Sequence, residues 1–149
     1  MPEIDDIVVQ RLRLPLSRKN LKDLQELQSS LYHTSAILSQ KQVTMAVRSR
    51  CALIVVAKDS EGAIVAKGTV CLSRDELGVA ARFENIIVAK THRRLGLMTR
   101  ILNELLMYAM KRKPYIIHLT SHPKRTAAYA FYKKYGFVIS GCKVLLFPN

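Results

Sequence analysis

Three β-rich runs, Cys51 to Lys58, Ala63 to Leu72 and Ala80 to Ala89, follow one another with only the turn-rich segments Asp59-Ser-Glu-Gly62 and Ser73-Arg-Asp-Glu-Leu-Gly78 between them. Connections that short join neighbouring antiparallel strands, so the runs predict a meander. The period then changes. From Gly96 to Lys113 the apolar residues Leu97, Met98, Ile101, Leu102, Leu105, Leu106 and Ala109 recur at helical spacing, Lys111, Arg112 and Lys113 fill the last turn, and Pro114 closes it. A meander followed by an amphipathic helix gives that helix a sheet face on which to bury its apolar stripe, and this predicts an α/β domain.

The flanks fit the same class. Ile7 to Leu14 mixes β-branched residues with alternation and is stopped by Pro15, which predicts a first strand. A helix follows, with Asn20 as its cap, Asp23 at the capping-box position and Leu21, Leu24, Leu27 and Leu31 on one face. A second helix is expected over Ser35 to Arg48. Beyond the long helix, Tyr115 to Thr120 reads as a short buried strand, Lys124 to Lys134 as a helix, and Phe137 to Ser140 and Lys143 to Phe147 as two last strands. A chain of 149 residues buries roughly 70% of its unfolded surface, enough for one core, so residues 1–149 are expected to form a single domain.

Several chemistries drop out. The longest apolar run, Cys51 to Ala57, has seven residues where a membrane-spanning helix needs ~20. The start Met1-Pro-Glu-Ile-Asp-Asp6 lacks the basic and apolar pattern of a secretory signal, and Cys51, Cys71 and Cys142 are odd in number and far apart. Both point to reduced packing thiols in an intracellular, cytoplasmic protein. The six glycines compose no dinucleotide fingerprint, Walker A loop or nucleophile elbow, and the four histidines compose no H-E-x-x-H. Zinc chemistry, nucleotide hydrolysis and serine hydrolysis are therefore not expected, and no metal is.

Ile86 to Met98 is the most informative stretch, because an apolar strand there runs into a basic turn that opens the long helix. A helix start leaves backbone N–H groups without partners and carries about half a positive charge, so it can hold a phosphate. Lys90, His92, Arg93 and Arg94 add charge, and Gly96 allows close approach of a ligand to the backbone. These residues make an anion site or a solvated turn.

In this stretch the sequence resembles the GNAT superfamily of acetyl-CoA-dependent N-acetyltransferases. The signature R/Q-x-x-G-x-G/A matches as Arg93-x-x-Gly96-x-Met98, and the later pattern A-x-x-[FL]-Y-x-K-x-G-F matches as Ala128, Phe131, Tyr132, Lys134, Gly136 and Phe137. Met98 stands where the signature has a small residue, and Tyr129 where one branch usually has Asn. The resemblance implies a mixed, mostly antiparallel twisted sheet flanked by helices. It implies acetyl-CoA as cosubstrate, with the backbone of Ile86, Ile87 and Val88 along the pantetheine arm and the N–H groups of Arg93, Arg94, Leu95, Gly96, Leu97 and Met98 around the pyrophosphate. Tyr132 would protonate the leaving thiolate, and Glu84 would accept the amine's proton. Each has another reading: Tyr132 as a core tyrosine, Glu84 as the ion-pair partner of Arg82 or Arg94.

The chain carries a net charge of +13, and from Arg82 onward thirteen basic residues face only Glu84 and Glu104. Coenzyme phosphates account for part of this excess, and an anionic acceptor suits the rest. The expected reaction is direct attack of a primary amine on the thioester in a ternary complex. The acceptor is open between an amino-sugar phosphate, a peptide amine and an amine carried on RNA, and a homodimer is compatible with all of them. The rival reading is an inactive module of the same fold that uses its basic half to bind RNA or DNA.

Overall fold

The computed structural model describes residues 4–31, 38–142 and 145. Two compact units emerge, one ending at Leu119 and the other beginning at Thr120. In the first, β1 (Val8–Arg11), α1 (Arg18–Leu31), α2 (Gln40–Arg48), β2 (Ala52–Lys58), β3 (Ile64–Asp75), β4 (Gly78–Val88), α3 (Leu97–Met110) and β5 (Ile116–Leu119) follow in chain order. The sheet order is β1-β2-β3-β4-β5. All pairs are antiparallel except β4 with β5, which run parallel, with α3 as the crossover between them.

The meander is the one that the short turns predict. Its second turn tightens until β3 and β4 face each other from Asp75 and Gly78. The α3 stripe is buried as its spacing requires, with Leu97, Ile101, Leu102, Leu105 and Ala109 at 0–1% exposure. Gly68 of β3 admits it: a Cβ there would stand 2.7 Å from Ile101 Cγ2 and 3.0 Å from Leu105 Cδ1. On the opposite face, Leu24 and Leu27 of α1 and Val43 of α2 pack with Leu12, Leu16, Val56, Ile64 and Ile87.

Some boundaries depart from the sequence reading. Ser17 rather than Asn20 caps α1, its Oγ accepting from Asn20 N–H at 3.0 Å, while the Asn20 amide reaches the Gly62 carbonyl at 3.1 Å. The helix therefore starts three residues earlier than a cap at Asn20 implies, at Arg18. Helix α2 starts at Gln40 on a full capping box between Ser39 and Gln42, although a start at Ser35 is expected; residues 35–37 lie outside the described residues. β5 is not buried: among the described residues it ends the row of strands, and its residues are exposed or half-buried. Cys51 and Cys142 are exposed and Cys71 half-buried, so only Cys71 has any packing role.

The second unit contains α4 (Thr126–Tyr135), closed by Gly136, whose φ of +123° only glycine takes readily. Phe131, Tyr132, Tyr135 and Phe137 form a ring cluster with centroids 5.8–6.2 Å apart. Phe137 to Ser140 is not a strand. Val138 and Ile139 are 89% and 66% exposed, and β-branched residues make a strand only where a neighbour completes the ladder. Of the last expected strand, 143–147, only Leu145 is described. Among the described residues, no helix is long and apolar enough to cross a membrane.

Candidate functional site

β3 and β4 pair regularly from Asp75↔Gly78 to Thr69↔Glu84, and the next pair is Lys67↔Ile87. Two β4 residues, Asn85 and Ile86, thus oppose the single residue Gly68, which is a β-bulge. Asn85 takes the left-handed conformation that this needs, with φ +53°. The ladder to β5 ends just before it, at Phe83↔Leu119. Among the described residues, Glu84, Ile87 and Val88 therefore pair with β3 alone, and the stretch from Glu84 to Val88 leaves a free edge of backbone donors and acceptors on its other side. The side chains of Ile86, Ile87 and Val88 are buried, so only their backbone can meet a ligand.

The chain leaves this edge through a 3-10 turn at Lys90–His92, where His92 N–H donates to the Ala89 carbonyl at 2.9 Å. Arg93 Nε donates to the Val88 carbonyl at 3.4 Å, Arg94 takes a left-handed φ of +66°, and Gly96, at φ +70°, caps α3 without any side-chain hydrogen bond. The first-turn N–H groups of α3 thus start at an uncapped, positive helix end. Arg93, Arg94 and Gly96 are exposed, Leu95 and Met98 half-buried, and Leu97 is core, so Leu97 offers only its backbone. No carboxylate of the described residues lies within ion-pair distance of Lys90, Arg93, Arg94 or Arg100. A free strand edge leading to an uncapped helix start suits a long ligand with an amide-bearing arm and a phosphate end.

Arg82 and Glu84, two residues apart on β4, share a face, and Arg82 Nε donates to Glu84 Oε1 at 2.8 Å. The other carboxylate oxygen, Oε2, accepts from the Cys71 thiol at 3.5 Å. Burial, and then the Glu84 charge, push the Cys71 thiol above its ordinary pKa, so it is a proton donor here and not a nucleophile. Glu84 is thus engaged by Arg82 rather than by Arg94.

Among the first-unit residues the sequence singles out, Glu84, the Ile86 to Val88 edge and the Arg93 to Met98 turn lie along one continuous path of strand, turn and helix. Tyr132 stands in the second unit, on α4. It is buried, its ring packs edge-on against Phe131 and Phe137, and its hydroxyl makes no hydrogen bond among the described residues. Burial, opposed in part by Arg125, raises its pKa, so the hydroxyl keeps its proton at neutral pH. His118 and His122 are exposed.

Sequence reasoning passes over Lys67. It is 5% exposed on β3 and donates to Gln28 Oε1 of α1 at 2.6 Å. Burial lowers its pKa from 10.5 to about 8. The available signal is a single charged residue inside the strand run Ile64 to Val70, beside the packing glycine Gly68. Among the described residues, no group of three or more His, Cys, Asp or Glu side chains could hold a metal ion.

Solved structures share this fold across nearly the whole chain. Glucosamine-6-phosphate N-acetyltransferase from Arabidopsis thaliana superposes with a TM-score of 0.76 at 17% identity, covering 96% of this chain and 99% of that one. Aminoglycoside antibiotic 6'-N-acetyltransferase from Acinetobacter baumannii gives 0.78 at 15% identity, covering 96% and 98%. AAC(6')-Iy, in complex with the bisubstrate analogue CoA-S-monomethyl-acetylneamine, gives 0.76 at 10% identity, again covering 96% and 98%. No curated protein matches the sequence. The family model described as an acetyltransferase (GNAT) domain matches residues 50–139, from the second strand to beyond the last helix. The bulged strand, the uncapped helix start and this match agree: the chain belongs to the GNAT acetyltransferase family.

Proposed function

We propose that the protein is an N-acetyltransferase that moves an acetyl group from acetyl-CoA to a primary amine by direct attack in a ternary complex. The observation that carries the reading is the continuity of the free β4 edge with the uncapped start of α3 at Gly96. Acetyl-CoA supplies a thioester, whose acyl carbon is the electrophile. The backbone of Ile86, Ile87 and Val88 holds the pantetheine amides in the manner of an added strand. The N–H groups from Arg93 to Met98, with the Arg93 and Arg94 charges, hold the pyrophosphate. A complex of AAC(6')-Iy with a CoA-containing bisubstrate analogue supports coenzyme binding by this fold.

The amine must be neutral to attack, and Glu84 accepts the proton that the attack releases, directly or through a water. Arg82 keeps that carboxylate oriented through Oε1. Tyr132, protonated at neutral pH, gives its proton to the departing thiolate. The acceptor we infer is an amine that also bears an anion, such as an amino-sugar phosphate. Support comes from the excess of basic residues after Arg82 and from a structural neighbour named for glucosamine 6-phosphate.

The test is release of coenzyme A thiol from acetyl-CoA in the presence of an amine panel that pairs each neutral amine with its phosphorylated or carboxylated form. Transfer that favours the anionic members is expected. Absence of transfer to any primary amine would reject the reaction, and preference for the neutral members would reject the acceptor class.

A further inference from the structure

Three polar side chains from three elements meet at the β4 bulge. Lys67 Nζ of β3 donates to Gln28 Oε1 of α1 at 2.6 Å, and Gln28 Nε2 donates to Asn85 Oδ1 of β4 at 3.5 Å. Asn85 is the bulge residue with φ +53°. No carboxylate of the described residues lies within 4.0 Å of the Lys67 amine, although that amine is 5% exposed. A methionine would fill the same space without desolvating a charge, so packing does not account for a lysine here.

An amine does one thing there that a thioether does not. A lysine ammonium only donates, so it can face only the oxygen of the Gln28 amide, and the amide nitrogen is then turned to the other side. That side is occupied by Asn85 Oδ1. At 3.5 Å the second link is near the limit of hydrogen bonding and depends on Gln28 being held from behind. A left-handed φ is unfavourable for a residue other than glycine, and Asn tolerates it best when its side chain is tied.

We propose that Lys67 is a positioning residue for acetyl transfer. By fixing which way Gln28 presents its amide, it holds Asn85 in the left-handed turn from which Glu84 on one side and Ile86 to Val88 on the other take their directions. The link between this turn and turnover rests on the acetyl-transfer reading; the link between Lys67 and the turn does not.

Two variants break the chain at different joints. Lys67→Met removes the donor behind Gln28. Gln28→Glu keeps a partner for Lys67 but offers Asn85 no N–H. Both are expected to speed amide hydrogen exchange at Asn85 and Ile86 about tenfold in the protein without ligand, and to displace those two amide resonances. Turnover of acetyl-CoA with the best amine of the panel should fall at least about tenfold. Wild-type exchange at Asn85 and Ile86 in a folded variant would overturn the proposal. If Lys67→Met does not fold, Gln28→Glu decides alone. If the wild-type protein turns over no acetyl-CoA, the transfer reading fails, and the exchange rates still decide whether Lys67 holds the turn.

Discussion

Arg82 Nε lies 2.8 Å from Glu84 Oε1, two residues along the same face of β4 and just before the bulge. Their side chains are 52% and 36% exposed, so the pair adds at most about 1 kcal/mol to stability. Its structural worth is small, and that separates the two roles open to Glu84. Glu84→Gln is expected to lower kcat by about 10²–10⁴-fold near neutral pH with little change in Tm or in acetyl-CoA affinity. Steady-state kinetics and a melting curve on the same sample check it; wild-type turnover in a stable Glu84→Gln protein would leave Glu84 as an ion-pair partner only.

Tyr132 stays protonated at neutral pH because burial raises its pKa. Tyr132→Phe keeps the ring contacts with Phe131 and Phe137 and removes only the hydroxyl. A fall in the single-turnover rate of at least roughly tenfold is expected, with Tm nearly unchanged, since a thiolate is already a fair leaving group and its acid assists rather than decides the step. An unchanged single-turnover rate would make Tyr132 a packing residue.

Lys67 carries a stability signature of its own. Its pKa in the folded protein, about 8, lies below the ordinary 10.5, so the folded state gives up the proton first as pH rises. Below pH 8 both states are charged and the burial penalty, roughly 3 kcal/mol, is present in full; between about 8 and 10.5 it is relieved, and wild-type stability rises relative to a variant without the amine. The Tm advantage of Lys67→Met over wild type should therefore shrink from pH 7 to pH 10. A constant difference across that range would show that the amine is not desolvated.

Gly68 tests the packing that backs the bulge. A methyl group there would stand 2.7 Å from Ile101 Cγ2, 3.0 Å from Leu105 Cδ1 and 3.3 Å from Ile86 Cγ1. Gly68→Ala should lower stability by about 1–3 kcal/mol in a denaturant titration, because α3 must move away from β3 to admit it. An unchanged midpoint would mean that the α3 interface yields freely.

What the sequence makes legible is what periodicity and local chemistry encode. The apolar spacing from Leu97 to Ala109 predicts α3 and its buried face, and the short turns before Gly78 predict the meander. The basic Gly96 turn is readable as an anion site because a helix start carries the same charge in any fold. What long-range contact decides is not readable. Nothing in the order of residues places Gln28 between Lys67 and Asn85, gives the second Glu84 oxygen to Cys71, or chooses between Arg82 and Arg94 as the partner of the first. The bulge itself hides for a related reason: Glu-Asn-Ile-Ile reads as continuous strand until pairing with β3 shows two residues opposite Gly68. Val138 and Ile139 err the other way, since their β propensity implies a strand that the described structure does not form.

The central claim is that the edge from Ile86 to Val88 and the Gly96 turn bind acetyl-CoA, and one comparison of melting curves tests it most directly. Acetyl-CoA at about a hundred times its dissociation constant should stabilise the wild-type fold by ~2.7 kcal/mol. Nothing lies within 4 Å of a Cβ built on Gly96, and Asp is among the residues that tolerate its left-handed φ, so Gly96→Asp should still fold. Its carboxylate, set where the pyrophosphate belongs, should abolish the ligand-induced shift. A wild-type protein that shows no shift at millimolar acetyl-CoA, or a Gly96→Asp protein that shifts as far as wild type, would contradict the account.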